Sequence, residues 1–161
     1  MFYMSLTLSQ KERSLLQDQK SHEDICIKKY NNYANQAQDP ELQQMFSAYA
    51  GQEQQHLDTI NQMLNGQVPN MQQGQQAKQG QQAQQGQQAR QNTMNGAMQN
   101  QGDADLCADM LMTEKYVANA YNNSVFEFAD TNARQALNHI EKEEQQHGEG
   151  IFNYMNKNGM Y

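Results

Sequence analysis

Apolar residues recur three, four and seven positions apart over four stretches of the chain, the spacing of helices that bury one face. Leu16, Cys26, Ile27 and Tyr30 share a stripe in the first stretch, and Phe46, Tyr49, Leu57 and Ile60 in the second. Met110, Leu111, Val117 and Tyr121 form the third, and Leu137, Ile140 and Ile151 the fourth. Start and stop signals bound them. Ser9-Gln10-Lys11-Glu12 is a capping box, in which Ser9 and Glu12 each satisfy an orphan amide, so a helix is predicted from about Ser9 to Gln38. Asp39-Pro40-Glu41 ends it and begins another: Asp39 caps, Pro40 has the fixed φ of a first helical position, and Glu41 opposes the dipole. Asn65-Gly66 is the predicted stop. Helical pattern resumes at Asp103, breaks at Asp130-Thr131 and runs to about Lys157, where Asn158-Gly159 closes it.

Between the two helical pairs, Gly66 to Gln101 is mostly Gln and Gly, with the hexads QQGQQA (72–77), KQGQQA (78–83) and QQGQQA (84–89). Such a span has almost nothing apolar to bury and cannot offset its ordering entropy. The expected organisation is therefore one domain over 1–161: a hairpin at 9–65, a flexible low-complexity linker at 66–102 and a second hairpin at 103–158.

Sliding the second hairpin back by 91 residues, so that Glu114 falls on Glu23, superposes it on the first without a gap. Tyr30-Asn31-Asn32 meets Tyr121-Asn122-Asn123, Asp39 meets Asp130, Glu53-Gln54-Gln55-His56 meets Glu144-Gln145-Gln146-His147, and Ile60 meets Ile151. There are 11 identities over the 42 positions from Glu23 to Leu64, concentrated in these motifs. The chain reads as an internal duplication.

The duplicated residues include a set with metal-ligand chemistry. Glu23 stands 16 residues before Asp39 and Glu53 stands 14 after it, so in an antiparallel hairpin they lie level to within ~3 Å. Glu114 and Glu144 repeat this about Asp130. Each glutamate falls on an apolar stripe and is predicted to point inward, whereas Asp24, flanked at four residues by Lys20 and Lys28, belongs to a solvated ion-pair face. Four buried carboxylates in one layer repel one another, and divalent cations remove the conflict. One Glu from each of two helices plus Glu-x-x-His from each of the other two is the ligand set of dimetal carboxylate bundles. The candidate ligands are therefore Glu23, Glu53, His56, Glu114, Glu144 and His147, holding two Fe or Mn ions, with zinc able to occupy the same cage. The predicted fold is all-α, a ferritin-like antiparallel four-helix bundle made of two duplicated hairpins. The bland alternative is a polar layer held by Tyr30, Tyr121 and hydrogen bonds alone.

Other residues attract blander readings. Tyr30 and Tyr121, two turns from Glu23 and Glu114, read as amphipathic core tyrosines, with groups supporting the ligands or redox-active phenols as the alternative, and His22 and His139 lie off the ligand stripes and read as surface histidines. Methionines at helical spacing read as core filling. Cys26 and Cys107, both within helical pattern and without C-x-x-C spacing, read as free buried thiols. No organic cofactor is expected and no catalytic residue is assigned.

Composition narrows the function classes. A formal charge of −7 and a pI near 4.9 disfavour nucleic acid, since the 11 Lys and Arg are scattered. The mean hydropathy of −1.04 is low, but much of the polar excess is Gln and Asn rather than charge. No run approaches the ~18 apolar residues of a membrane span, and Met1 to Leu8 lacks the features of a signal peptide.

The strings EDICIKKYNNY (23–33), Asp39 to His56 ending in EQQH, MLMTEKY (110–116) and EEQQHGEGIFNYMNKNGMY (143–161) resemble the Coat F family of bacterial spore coat proteins. The resemblance covers both hairpins. It implies a ferritin-like fold and a structural, sporulation-linked role: synthesis in the mother-cell cytoplasm, deposition in the spore coat, and other coat proteins or further copies of the chain as partners. A dimetal oxidoreductase acting on peroxide or oxygen, and metal storage, stand as the alternatives, so whether the protein is an enzyme is left open.

Overall fold

The computed structural model describes residues 2–71 and 101–161; the predicted hexad repeats lie outside them. Among the described residues the fold is all-α in its main elements, as expected. Helices α1 (Gln10–Gln36), α2 (Pro40–Leu64), α3 (Gln101–Val125) and α4 (Thr131–Lys157) are joined by two short strands, β1 (Tyr3–Ser5) and β2 (Gln67–Pro69). Helix α1 packs along α2 and α3 along α4, while α1 also touches α3 and α2 touches α4.

The predicted caps form. The Ser9 hydroxyl accepts from Glu12 N at 3.1 Å and Glu12 Oε1 from Ser9 N at 2.8 Å. Asp39 accepts from Glu41 N and Asp130 from Ala133 N, each closing the start of a helix whose predecessor ended a few residues earlier. Helix α2 stops at Asn65-Gly66, where Gly66 has φ 84°, a left-handed conformation that glycine adopts without steric cost.

Two carboxylates tie each hairpin to the other's turn. Asp103, in the first turn of α3, accepts from Gln38 N at 2.9 Å and Asp39 N at 3.0 Å. Glu12, in the first turn of α1, reaches the α3–α4 turn and accepts from Ala129 N at 3.2 Å. These positions are 91 apart, as are Gln38 and Ala129, so the duplication extends to the clamps.

The apolar interior falls into two clusters. One holds Leu16, Cys26, Ile60, Val117, Tyr121 and Leu137 with their neighbours, and the other Tyr30, Leu42, Phe46, Met110, Ile151 and Tyr154 with theirs. Along each helix a buried glutamate falls between the two ends of this core.

The structure departs from the sequence reading at the edges. Helix α1 ends at Gln36 rather than Gln38, and α3 begins at Gln101 rather than Asp103. The span assigned to the linker starts with β2, which pairs antiparallel with β1, Tyr3 opposite Pro69 and Ser5 opposite Gln67. Val68 is buried with Leu6 in the first cluster, and Met71 packs against it. A three-residue strand is too short to leave a periodic signal, and its partner lies more than 60 positions away, so neither was visible from local pattern. No helix among the described residues is long and apolar enough to cross a membrane.

Candidate metal centre

All six predicted ligands are buried, and the structure brings them into one layer. Their donor atoms form two overlapping groups, Glu23–Glu53–His56–Glu144 and Glu53–Glu114–Glu144–His147, each with its atoms within 4.8 Å of one another. Glu53 and Glu144 belong to both groups. Glu23 and Glu114 belong to one each, as end ligands would. The two imidazoles reach across the hairpins: His56 Nδ1 lies 2.8 Å from Glu144 Oε1, and His147 Nδ1 lies 2.9 Å from Glu53 Oε1.

Helical spacing produces this convergence. Glu53 and His56, like Glu144 and His147, are three residues apart and share a face, while Glu23 and Glu114 sit level with them on the partner helices. Gln54, Gln55, Gln145 and Gln146 between them face outward.

Electrostatics within the layer are strained. Burial, reinforced by Glu23 and Glu114 respectively, holds Glu53 and Glu144 well above the usual carboxylate range. Glu23 and Glu114 lie below it: burial opposes this, but hydrogen bonds within each glutamate pair, to His56 or His147, and to a tyrosine outweigh it. For His56, burial disfavours the cation, yet Glu143, Glu144, Glu23 and Glu53 together raise it well above its usual value. Even so, Glu23 Oε2, Glu114 Oε2, Glu144 Oε2 and His56 Nε2 are buried without a hydrogen-bond partner. Burying an ion without full compensation costs several kcal/mol. A cation in each group would answer the orphaned oxygens directly, and an oxygen-rich donor set with one imidazole per position fits Fe, Mn or Zn.

The tyrosines are more than core filling. Tyr30 on α1 donates to Glu114 Oε1 on α3, and Tyr121 on α3 donates to Glu23 Oε1 on α1 at 2.5 Å. The sequence placed each phenol two turns from a glutamate of its own helix, whereas each serves the glutamate of the opposite hairpin.

Sequence reasoning also missed the residues behind the imidazoles. His147 Nε2 donates to Gln52 Oε1, and the Tyr49 ring stacks on the His147 ring with centroids 4.2 Å apart. His56 Nε2 instead faces Glu143 Oε2 at 3.5 Å, while the other oxygen of Glu143 pairs with His139. His139, expected on the surface, is half-buried against this outer ring, and His22 is half-buried beside Gln19 and Tyr116. Neither is among the clustered donor groups. A signal was present: Gln52 and Glu143 each immediately precede the glutamate of Glu-x-x-His.

Two other readings hold. Asp24 pairs with Lys28 at 2.9 Å on the exposed face, and Cys26 and Cys107 are free and buried. Burial and the nearby glutamates push the Cys26 thiol up, and burial with Asp103 and Asp39 pushes Cys107 up to about 12. A cleft of about 480 Å³ between α3 and α4, lined in part by Lys115, Glu114, Glu144 and Gly148, approaches the layer from outside.

Four helices around a repeated carboxylate and imidazole layer define a mainly helical protein with a candidate metal site. Residues 102–161, spanning nearly all of α3, the α3–α4 turn, α4 and the tail, match the family model described as the Coat F domain. Two of the strings that carry the resemblance, 110–116 and 143–161, lie inside that match, and the two from the first hairpin lie outside it. No curated protein and no solved structure matches the chain.

Proposed function

We propose that the chain is a structural spore coat protein of the Coat F type, built as a ferritin-like bundle of two duplicated hairpins that holds two Fe or Mn ions. The observation that carries this reading is the coincidence of the Coat F match with the hairpin that supplies Glu114, Glu144 and His147. In this reading Glu53 and Glu144 bridge, Glu23 and Glu114 close the two ends, His56 and His147 each hold one ion, and no organic cofactor takes part. The ions neutralise the layer and lock the hairpins together, which suits a protein whose task is to persist. Made in the mother-cell cytoplasm, it would be laid down in the coat beside other coat proteins or further copies of itself. Two measurements test this. Fractionation of mature spores should place the protein in the coat, and its absence there ends the coat assignment. Elemental analysis of the native protein should find about two ions per chain, lost in a Glu53→Ala/Glu144→Ala double variant; metal-free native protein ends the metal assignment.

A second reading, a dimetal oxidoreductase acting on peroxide or oxygen, draws on the phenols of Tyr30 and Tyr121, each one hydrogen bond from an end glutamate. Bound metals would supply the redox chemistry. The phenols would hold protons at Glu114 and Glu23, and the α3–α4 cleft would admit a small oxidant. Metal-loaded protein that turns over peroxide or Fe(II) no faster than Glu53→Ala excludes it. Metal storage without turnover is then the remaining use of the site.

A further inference from the structure

The duplication makes His56 and His147 equivalents, yet what stands behind them differs. Position 52 and position 143 correspond across the 91-residue shift, and one is an amide while the other is a carboxylate. Gln52 accepts from His147 Nε2, and Glu143 faces His56 Nε2 at 3.5 Å. The next ring differs as well: Tyr49 stacks on His147, whereas its counterpart is Ile140, and His139 grips Glu143 where the first hairpin has Ala48.

We propose that the two metal positions are inequivalent, and that Glu143 is the positioning residue that makes the His56 position the tighter and first to fill. The inference rests on the dimetal reading above. An imidazole that ligates through Nδ1 and donates its Nε2 proton to a carboxylate is a more basic ligand than one that donates to an amide. The carboxylate also adds a negative charge near the cation, in a buried setting where charge acts strongly. His139 fixes the carboxylate, so that Oε2 is left facing His56. On the other side Gln52 accepts from His147 Nε2 and carries no charge.

Metal-free full-length protein titrated with Mn(II) against a competing chelator tests this, with Co(II) absorption reporting each position separately. The wild type should bind two ions in steps at least about 10-fold apart. Glu143→Gln should weaken the first step by about 10- to 100-fold, the usual effect of removing an outer partner, and bring the two steps together. Gln52→Glu should tighten the second step by a comparable factor, a gain that misfolding cannot mimic. Two equal steps in the wild type, or equal weakening of both steps in Glu143→Gln, overturn the inequivalence and leave the dimetal reading standing. A wild type that binds neither Mn(II) nor Co(II) overturns both.

Discussion

Tyr121 of the second hairpin donates its phenolic proton to Glu23 of the first at 2.5 Å, and Tyr30 returns the same bond to Glu114. Each hairpin thus supplies one oxygen of the other's buried carboxylate with a hydrogen bond that water would otherwise make. Hydrogen bonds to charged groups contribute about 1.5–3 kcal/mol. Tyr121→Phe and Tyr30→Phe should each destabilise the metal-free protein by roughly that amount, read from urea unfolding. A loss below about 0.5 kcal/mol in both would show that these bonds hold nothing together.

Metal should raise the melting temperature. Binding to the folded state alone adds about 2.7 kcal/mol at a hundredfold excess over Kd. Glu53→Ala/Glu144→Ala removes the two carboxylates shared by both donor groups and should abolish the gain. Thermal melts with and without Mn(II) or Fe(II) at neutral pH check it, and equal wild-type melting temperatures at saturating metal would mark the layer as purely structural.

The metal-free protein should lose stability as pH rises. Glu53, Glu144 and His56 all have folded-state values above their ordinary 4.5, 4.5 and 6.5. Stability from groups shifted this way is fully present below the ordinary value and is lost as pH climbs through the raised one. Glu23 and Glu114, shifted down, act oppositely and lose their contribution only below 4.5. Metal-free melts should therefore be higher near about pH 6 than near about pH 9. Added metal should erase the alkaline decline, while its affinity falls toward acid as the ligands take up protons. A metal-free melting temperature that rises steadily to pH 9 would contradict this.

Asp103→Ala leaves Gln38 N and Asp39 N without their acceptor in a part-buried turn. An unsatisfied buried donor costs about 1–3 kcal/mol, so the variant should unfold at clearly lower urea. Asp103→Glu, the residue at the equivalent clamp, should recover part of the loss. If Asp103→Ala matches wild type, the clamp is ornamental.

What could be read from the sequence was what is local or periodic. Ser9, Asp39 and Asp130 announce helix starts because capping acts over three residues. The six candidate ligands emerged because both their helical spacing and their repetition at 91 residues are visible in one dimension. The partners of Tyr30 and Tyr121 were not, since they depend on which helix lies opposite, a choice made by packing. Glu12 and Asp103 escaped for another reason: they play one role with side chains of different length, so a search for identities passes over them. The pairing of β1 with β2 left no trace because six residues cannot display a period.

The cross-hairpin bonds come in reciprocal pairs: Glu12 with Asp103 at the turns, Tyr30 with Tyr121, His56 with His147. Reciprocity of this kind is the signature of an isologous interface, in which one surface binds a second copy of itself. The molecule is in that sense like a two-fold dimer whose subunits share a single polypeptide, so its halves need not be identical. A true homodimer must place the same residue behind both imidazoles; a single chain can set a glutamine at position 52 and a glutamate at 143.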